Sequence, residues 1–230
     1  MTVTRKAVDQ SMQEANARES ILASIRQNLA AGRAFDDVHK EAKINDESTR
    51  STSLSRDELI NNFKRNLDSV GGHCHIVSEM SEAAEAVFKI IGSLSATNIA
   101  ISDSSIVAAI TNGLSINVVV NADPEYLFAS DVGVTSAQYA IAETGTIVLE
   151  SDTERHRLTS LVPPVHICIL QAGNIRQTLG EILEIVQSDL SRTVTFITGA
   201  SRTSDIELTL AIGVHGPREL HVVVIDDHRP

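Results

Sequence analysis

Aromatic side chains are scarce in this chain: 3% of 230 residues, with no tryptophan, two tyrosines and five phenylalanines. The core must therefore be aliphatic, and the stacking platforms that hold single-stranded nucleic acids are missing. Positive charge is also short. Nineteen lysines and arginines face thirty aspartates and glutamates, a net charge of -11, which argues against a phosphate backbone as partner. Cysteine occurs twice, as Cys74 and Cys168, each inside an apolar strand-like run. Two thiols make no disulfide framework and fall short of the four thiolates of an iron–sulfur cluster. No cofactor is therefore expected within the chain, and the thiols read as buried and reduced. No run of about 18 apolar residues occurs, and residues 1–14 are polar, without the apolar core of a secretory signal. These absences predict a cytoplasmic protein with no membrane span. Walker, dinucleotide-glycine, nucleophile-elbow and HExxH patterns are also missing, which leaves kinase, Rossmann dehydrogenase, α/β-hydrolase and zincin chemistry unsupported.

What is present is aliphatic and periodic. Hydrophobic residues reach 42%, enough for a core. Ile21, Leu22, Ile25 and Leu29 share one face of a helix predicted over 14–30, closed by Gly32. Residues 1–32 read as a helical extension and 33–55 as a polar linker. A helix set apart in this way is suited to packing on a second copy, so a homo-oligomer is an expectation. Ser55 with Glu58 forms a capping box, ahead of the apolar stripe Leu59, Ile60, Phe63, Leu67 and Val70, and Gly71-Gly72 ends that helix. Strands over 73–77, 98–101 and 117–120 then alternate with helices over 81–94 and 106–112. That alternation predicts an α/β domain with a doubly wound, mostly parallel sheet flanked by helices. It occupies 56–226, with 227–230 a polar tail. After Asn121 the pattern changes. Residues 132–141 alternate weakly, 142–146 turn, and 147–149 continue as a strand, which reads as a hairpin or a tight bend rather than a βαβ unit. A strand over 165–170, a long helix capped by Asn174 with Ile175, Leu179, Ile182, Leu183, Val186 and Leu190 inward, a strand over 193–197 and a closing strand over 220–225 complete the domain.

The side chains with the most specific chemistry lie between the last two strands. Gly199-Ala200-Ser201-Arg202-Thr203-Ser204-Asp205-Ile206-Glu207 reads as a strand-to-helix turn, where backbone N–H groups and a forked guanidinium suit a carboxylate or phosphate. Ser201, Arg202 and Thr203 are its anion-binding candidates. Asp205 reads either as a helix-start carboxylate or as the group that orients Arg202. His215, within Gly213-Val214-His215-Gly216-Pro217, reads as a proton-exchanging group, and Gly216 allows close backbone approach; a structural histidine is the other reading. Glu143, between Ala142 and the turn Thr144-Gly145-Thr146, reads as a partly desolvated acid–base group or covalent nucleophile. It reads equally as a hairpin glutamate paired with Arg155, Arg157 or Arg202. The turn 102–105 is a candidate second wall or a simple helix cap. His73 and His75 share a strand face without a third ligand at clear spacing, so no metal site is predicted, and His166 and His221 read as structural.

Four motifs in this order, Ile141-Ala142-Glu143-Thr144-Gly145-Thr146, Leu161-Val162-Pro163 with His166, the 199–207 segment and the 213–217 segment, resemble the LUD-domain family from about Ser55 to Asp226. Ala200 and Ser204 stand where that family usually has proline and alanine, while the polar positions match. The resemblance implies a fold similar to the NagB/RpiA/CoA-transferase-like group and a role in bacterial oxidation of L-lactate to pyruvate. It also implies partner proteins that carry iron–sulfur clusters. A small anionic metabolite is then the expected ligand, with Glu143 and His215 as proton-moving groups and Thr144, Gly145, Thr146, Ser201, Arg202, Thr203, Asp205 and Gly216 around it. The alternative is a stand-alone enzyme acting on a phosphorylated or CoA-linked metabolite.

Overall fold

The computed structural model describes residues 18–27, 54–151, 157–188, 191–204, 210–213 and 215–227. The chain divides between Thr52 and Ser53 into two units. In the first, residues 18–27 form a helix, α1, on which Ile21, Leu22 and Ile25 are exposed; Leu29 and nearly all of the 33–55 segment lie outside the described residues.

In the second unit the capping box forms as read. The Ser55 backbone N–H and hydroxyl both donate to Glu58 Oε2 at 2.8 Å, and α2 (Arg56–Ser69) follows. Then come β1 (Gly72–Val77), α3 (Met80–Ser93), β2 (Asn98–Ile101), α4 (Ser105–Thr111), β3 (Asn117–Val120), α5 (Pro124–Ala129) and β4 (Val132–Ser136). The chain continues through β5 (Tyr139–Ile141), β6 (Thr146–Glu150), β7 (Val165–Gln171), β8 (Ile175–Arg176), α6 (Leu179–Ser188) and β9 (Val194–Ile197). It ends with β10 (Arg202–Ser204), β11 (Leu210–Ile212) and β12 (Glu219–Ile225). Six strands in the order β1-β12-β7-β4-β2-β3 make an all-parallel sheet. Such a sheet is stable only with both faces covered. On one face Cys168, Leu170, Val222 and Val224 pack with Ile60, Phe63 and Leu67 of α2 and with Ile147 and Ile175 of a smaller sheet. On the other, Ile167, Ile169, Val223 and Ile225 pack with Val87, Ile91 and Ile110 of α3 and α4. The smaller sheet has the order β8-β5-β6-β9, and β10–β11 is an antiparallel hairpin. Both cysteines are buried and neither is in a disulfide; burial pushes the Cys74 thiol up to about 12. Among the described residues no helix is long and apolar enough to cross a membrane.

Three expectations are corrected and one helix is added. Residues 132–141 are two strands: Ala137 N still donates to Ile169 O in the main sheet, whereas Gln138 N donates to Val148 O in the smaller one. Helix α5 was not predicted. It is short, and its signals are local ones, the Asp123 side chain accepting from Tyr126 N at 2.8 Å and Pro124 in the first turn. Asn174 does not cap a long helix, because Ile175 belongs to β8 beside Ala140. Thr178 and Glu181 supply the start signal of α6 instead, which buries Ile182 and Val186 and leaves Leu179 and Leu183 exposed. Finally, the helix expected to open at Asp205 and Glu207 is not carried into residues 210–212, which are strand; residues 205–209 themselves lie outside the described residues. The backbone of β10 is paired with β11, Arg202 opposite Ile212, so residues 202–204 are extended strand rather than the first turn of a helix.

Candidate functional site

The carboxyl end of α2 is the platform on which the two glycine turns are laid. Gly145 (φ +66°) sits so close that an added Cβ would lie 2.2 Å from Leu67 N, and Asn66 Nδ2 donates to Ala142 O at 2.7 Å. Gly199 (φ +78°) would place a Cβ 2.3 Å from Val70 O, and Arg202 Nη2 donates to that same carbonyl at 2.7 Å. The left-handed backbone and the close approach both demand glycine. A relay of hydroxyls joins the turns: Thr144 Oγ1 to Thr146 Oγ1 and Thr146 Oγ1 to Thr198 Oγ1, both 2.7 Å. Sequence segments about fifty residues apart thus become neighbours.

Beyond the second turn lies a cavity of about 310 Å³. Residues 195–202 form one wall, 215–217 the facing one, and Ser160, Leu161, His166 and Leu220 close it at the amino ends of β7 and β12. The walls are tied by Ser201 N donating to Pro217 O (2.8 Å) and Gly213 N donating to Ser201 O (2.9 Å). Gly216 lies against Ser201, whose Oγ would be 3.0 Å from an added Cβ. Arg202 and His215 are exposed at the rim and His166 is buried within the wall. Thr135 Oγ1 and His166 Nε2 are 2.8 Å apart, and His166 Nδ1 is buried without a partner. Burial holds this imidazole neutral, with its pKa lowered to about 3.

Residues 60–225 match the LUD domain family. The chain belongs to the LUD-domain family. A relative named lactate utilization protein C from Deinococcus radiodurans is 34% identical over 180 residues, 75% of this chain and 82% of the relative. Its namesake in Bacillus subtilis is 33% identical over 104 residues, and an uncharacterized Neisseria meningitidis protein is 40% identical over 108. The matched stretch covers less than half of those two relatives, 43% and 46% of their lengths. A crystal structure of a DUF162-family protein from D. radiodurans superposes with a TM-score of 0.61 at 27% identity, over 75% of this chain and 99% of that one.

In this LUD domain the sequence-predicted residues separate. Ser201, Arg202, His215 and Gly216 meet around the cavity. Thr203 enters β10, where only its backbone is described, and Asp205 lies outside the described residues. Glu143 is exposed rather than desolvated and does not line the cavity: its Oε1 accepts from Leu179 N at 2.8 Å, at the start of α6. Glu143→Ala is accordingly expected to lower stability by about 1 kcal/mol, read as a lower urea midpoint, with Glu143→Gln keeping most of the loss back. Thr144, Gly145 and Thr146 support the second turn from outside the cavity. The turn at 102–105 belongs to the opposite end of the sheet, where Ser136 Oγ donates to Ser104 Oγ at 3.0 Å. There a second cavity of about 500 Å³ is lined by Ser136, Gln138, Tyr139, Gln171 and Asn174.

Sequence reading took His166 as structural and did not place it among the site residues. The available signal was a lone histidine inside Val165-His166-Ile167-Cys168-Ile169, a strand buried on both faces. It also lacked the third histidine beside His73 and His75. Parallel register sets His73 opposite His221, with rings stacked at 4.8 Å, and His75 Nε2 lies 3.2 Å from His221 Nδ1. Burial lowers the pKa of both His75 and His221. No group of side chains among the described residues is arranged to hold a metal ion.

Proposed function

We propose that this LUD-domain protein serves a lactate-utilization system by binding a short-chain carboxylate, of the lactate and pyruvate class, in the cavity between residues 198–202 and 215–217. The observation that carries this reading is the meeting of Ser201, Arg202, His215 and Gly216 around one small cavity, in a chain whose relatives are named for lactate utilization. The bond from Arg202 Nη2 to Val70 O fixes the guanidinium at the rim and leaves further N–H donors on its fork for a carboxylate. The Ser201 hydroxyl adds a neutral donor, and His215 at the rim is placed to exchange a proton with solvent. Oxidation of lactate to pyruvate releases two electrons, which partner proteins of the iron–sulfur class would accept. Cys74 and Cys168 support that division of labour, since both are packed in the apolar core.

The rival reading, a phosphorylated or CoA-linked metabolite, draws on the fold group and on the same 199–207 turn, so the hairpin at 202–204 bears on both readings alike. Calorimetric titration with L-lactate, pyruvate, glucose 6-phosphate and acetyl-CoA separates the two. Lactate or pyruvate should bind, and Arg202→Ala should weaken that binding roughly ten- to a hundredfold through loss of a charge-assisted bond. Binding of the phosphorylated ligands alone would favour the rival.

A further inference from the structure

His166 is 1% exposed, yet it lies in the wall of the cavity. One ring nitrogen, Nε2, is engaged by the Thr135 hydroxyl at 2.8 Å; the other, Nδ1, has no partner. Leaving a buried polar atom unpaired costs about 1–3 kcal/mol, and such exceptions in folded proteins call for an explanation. Core packing does not supply one. The neighbouring positions of β7 that share its face are Cys168 and Leu170, and an aliphatic side chain at 166 would carry no such cost. Charge pairing is not the explanation either, because burial keeps the ring neutral. A neutral imidazole with one nitrogen fixed offers one directional hydrogen bond at the other. Arg202 is exposed at the rim whereas His166 is in the main sheet, so the cavity has a cationic mouth and a neutral imidazole in its inner wall.

We infer that His166 is the specificity-determining residue of this cavity, its Nδ1 bonding the α-oxygen of a 2-hydroxy or 2-oxo acid whose carboxylate lies toward Arg202. The inference rests on the carboxylate reading and narrows it: an acid without an α-oxygen leaves Nδ1 unpaired and binds more weakly. Nδ1 is closed to water in the ligand-free chain, so this bond requires the groups covering Nδ1 to rearrange when the acid binds. The Thr135 bond sets which tautomer meets the ligand.

The test uses the full chain labelled with ¹⁵N-histidine and titrated separately with L-lactate, pyruvate and propionate. Lactate or pyruvate is expected to bind roughly three- to tenfold more tightly than propionate. The His166 Nδ1 resonance should shift with the oxygenated acid and stay in place with propionate. His166→Gln retains a group facing Thr135 and removes the one at Nδ1, so its affinities for lactate and propionate should converge. The wild-type resonances decide the matter alone if that variant does not fold. Equal affinity for propionate and lactate, or an unmoved Nδ1 resonance in the lactate-saturated protein, overturns the role of His166 and leaves the carboxylate reading standing. Failure of all three acids to bind removes that reading and this assignment together.

Discussion

Gly145→Ala is expected to cost about 4 kcal/mol or more, placing it among the most damaging single substitutions in the chain. Two penalties combine. The backbone at Gly145 has φ +66°, a left-handed conformation that costs an L-residue about 1–2 kcal/mol. The new methyl would also lie 2.2 Å from Leu67 N and 2.6 Å from Asn66 C. These are backbone atoms of α2, and no rotamer change can move them aside. Either the turn lifts from the helix, breaking the Asn66–Ala142 bond and the threonine relay to Thr198, or α2 shifts and opens the core around Phe63 and Leu67. Against a total stability of about 5–15 kcal/mol for a domain, much of the folding free energy would be lost. Urea denaturation followed by circular dichroism reads the change. Gly92→Ala is the matched control: it lies in α3 with nothing within 4 Å of the added Cβ, and it should raise stability by about 0.5–1 kcal/mol. A small loss for Gly145→Ala would mean that the turn is not seated on α2.

Acidification should destabilise the fold well above the range where carboxylates titrate. In the folded chain His166 has its pKa at about 3, while in the unfolded chain it returns to about 6.5. Below pH 6.5 the unfolded state therefore binds a proton that the folded state refuses, so stability falls as pH falls. The slope approaches about 1.4 kcal/mol per pH unit and continues to about pH 3, a total on the order of 4–5 kcal/mol. Above pH 6.5 this contribution is flat. His75 and His221, also lowered by burial, act in the same direction. Asp131, held low by backbone N–H donors from Asn98 and Thr97, adds its loss only below its unfolded value of about 3.8, so the window from pH 6.5 to 4.5 belongs to the histidines. Thermal melts across that window should show a falling midpoint in the wild type and a shallower fall in His166→Gln. Identical slopes in the two would show that His166 is not a buried neutral imidazole.

Much of the main sheet was legible because its strands are short apolar runs bounded by polar turns. The strands at Asn98–Ile101 and Asn117–Val120 were read to the residue, and the Ser55–Glu58 box marked the start of α2. Legibility failed where local pattern and tertiary pairing disagree. Residues 202–212 contain polar residues ahead of an apolar stretch, which reads as a helix start, yet β10 and β11 pair with each other. The break between β4 and β5 has no turn signal, because Ala137 stays bonded to the main sheet while Gln138 crosses to the second. The site was legible as motifs and not as a geometry. Glu143 carried suitable chemistry but is engaged at the start of α6. His166 looked like packing, because only three-dimensional neighbours reveal an unpaired nitrogen.

A crystal structure of the chain grown with L-lactate or pyruvate tests the central claim most directly. The account predicts the acid between Ser201, Arg202 and His166, with its carboxylate toward Arg202. An acid seated instead at the other end of the sheet, beside Ser136 and Asn174, would contradict it.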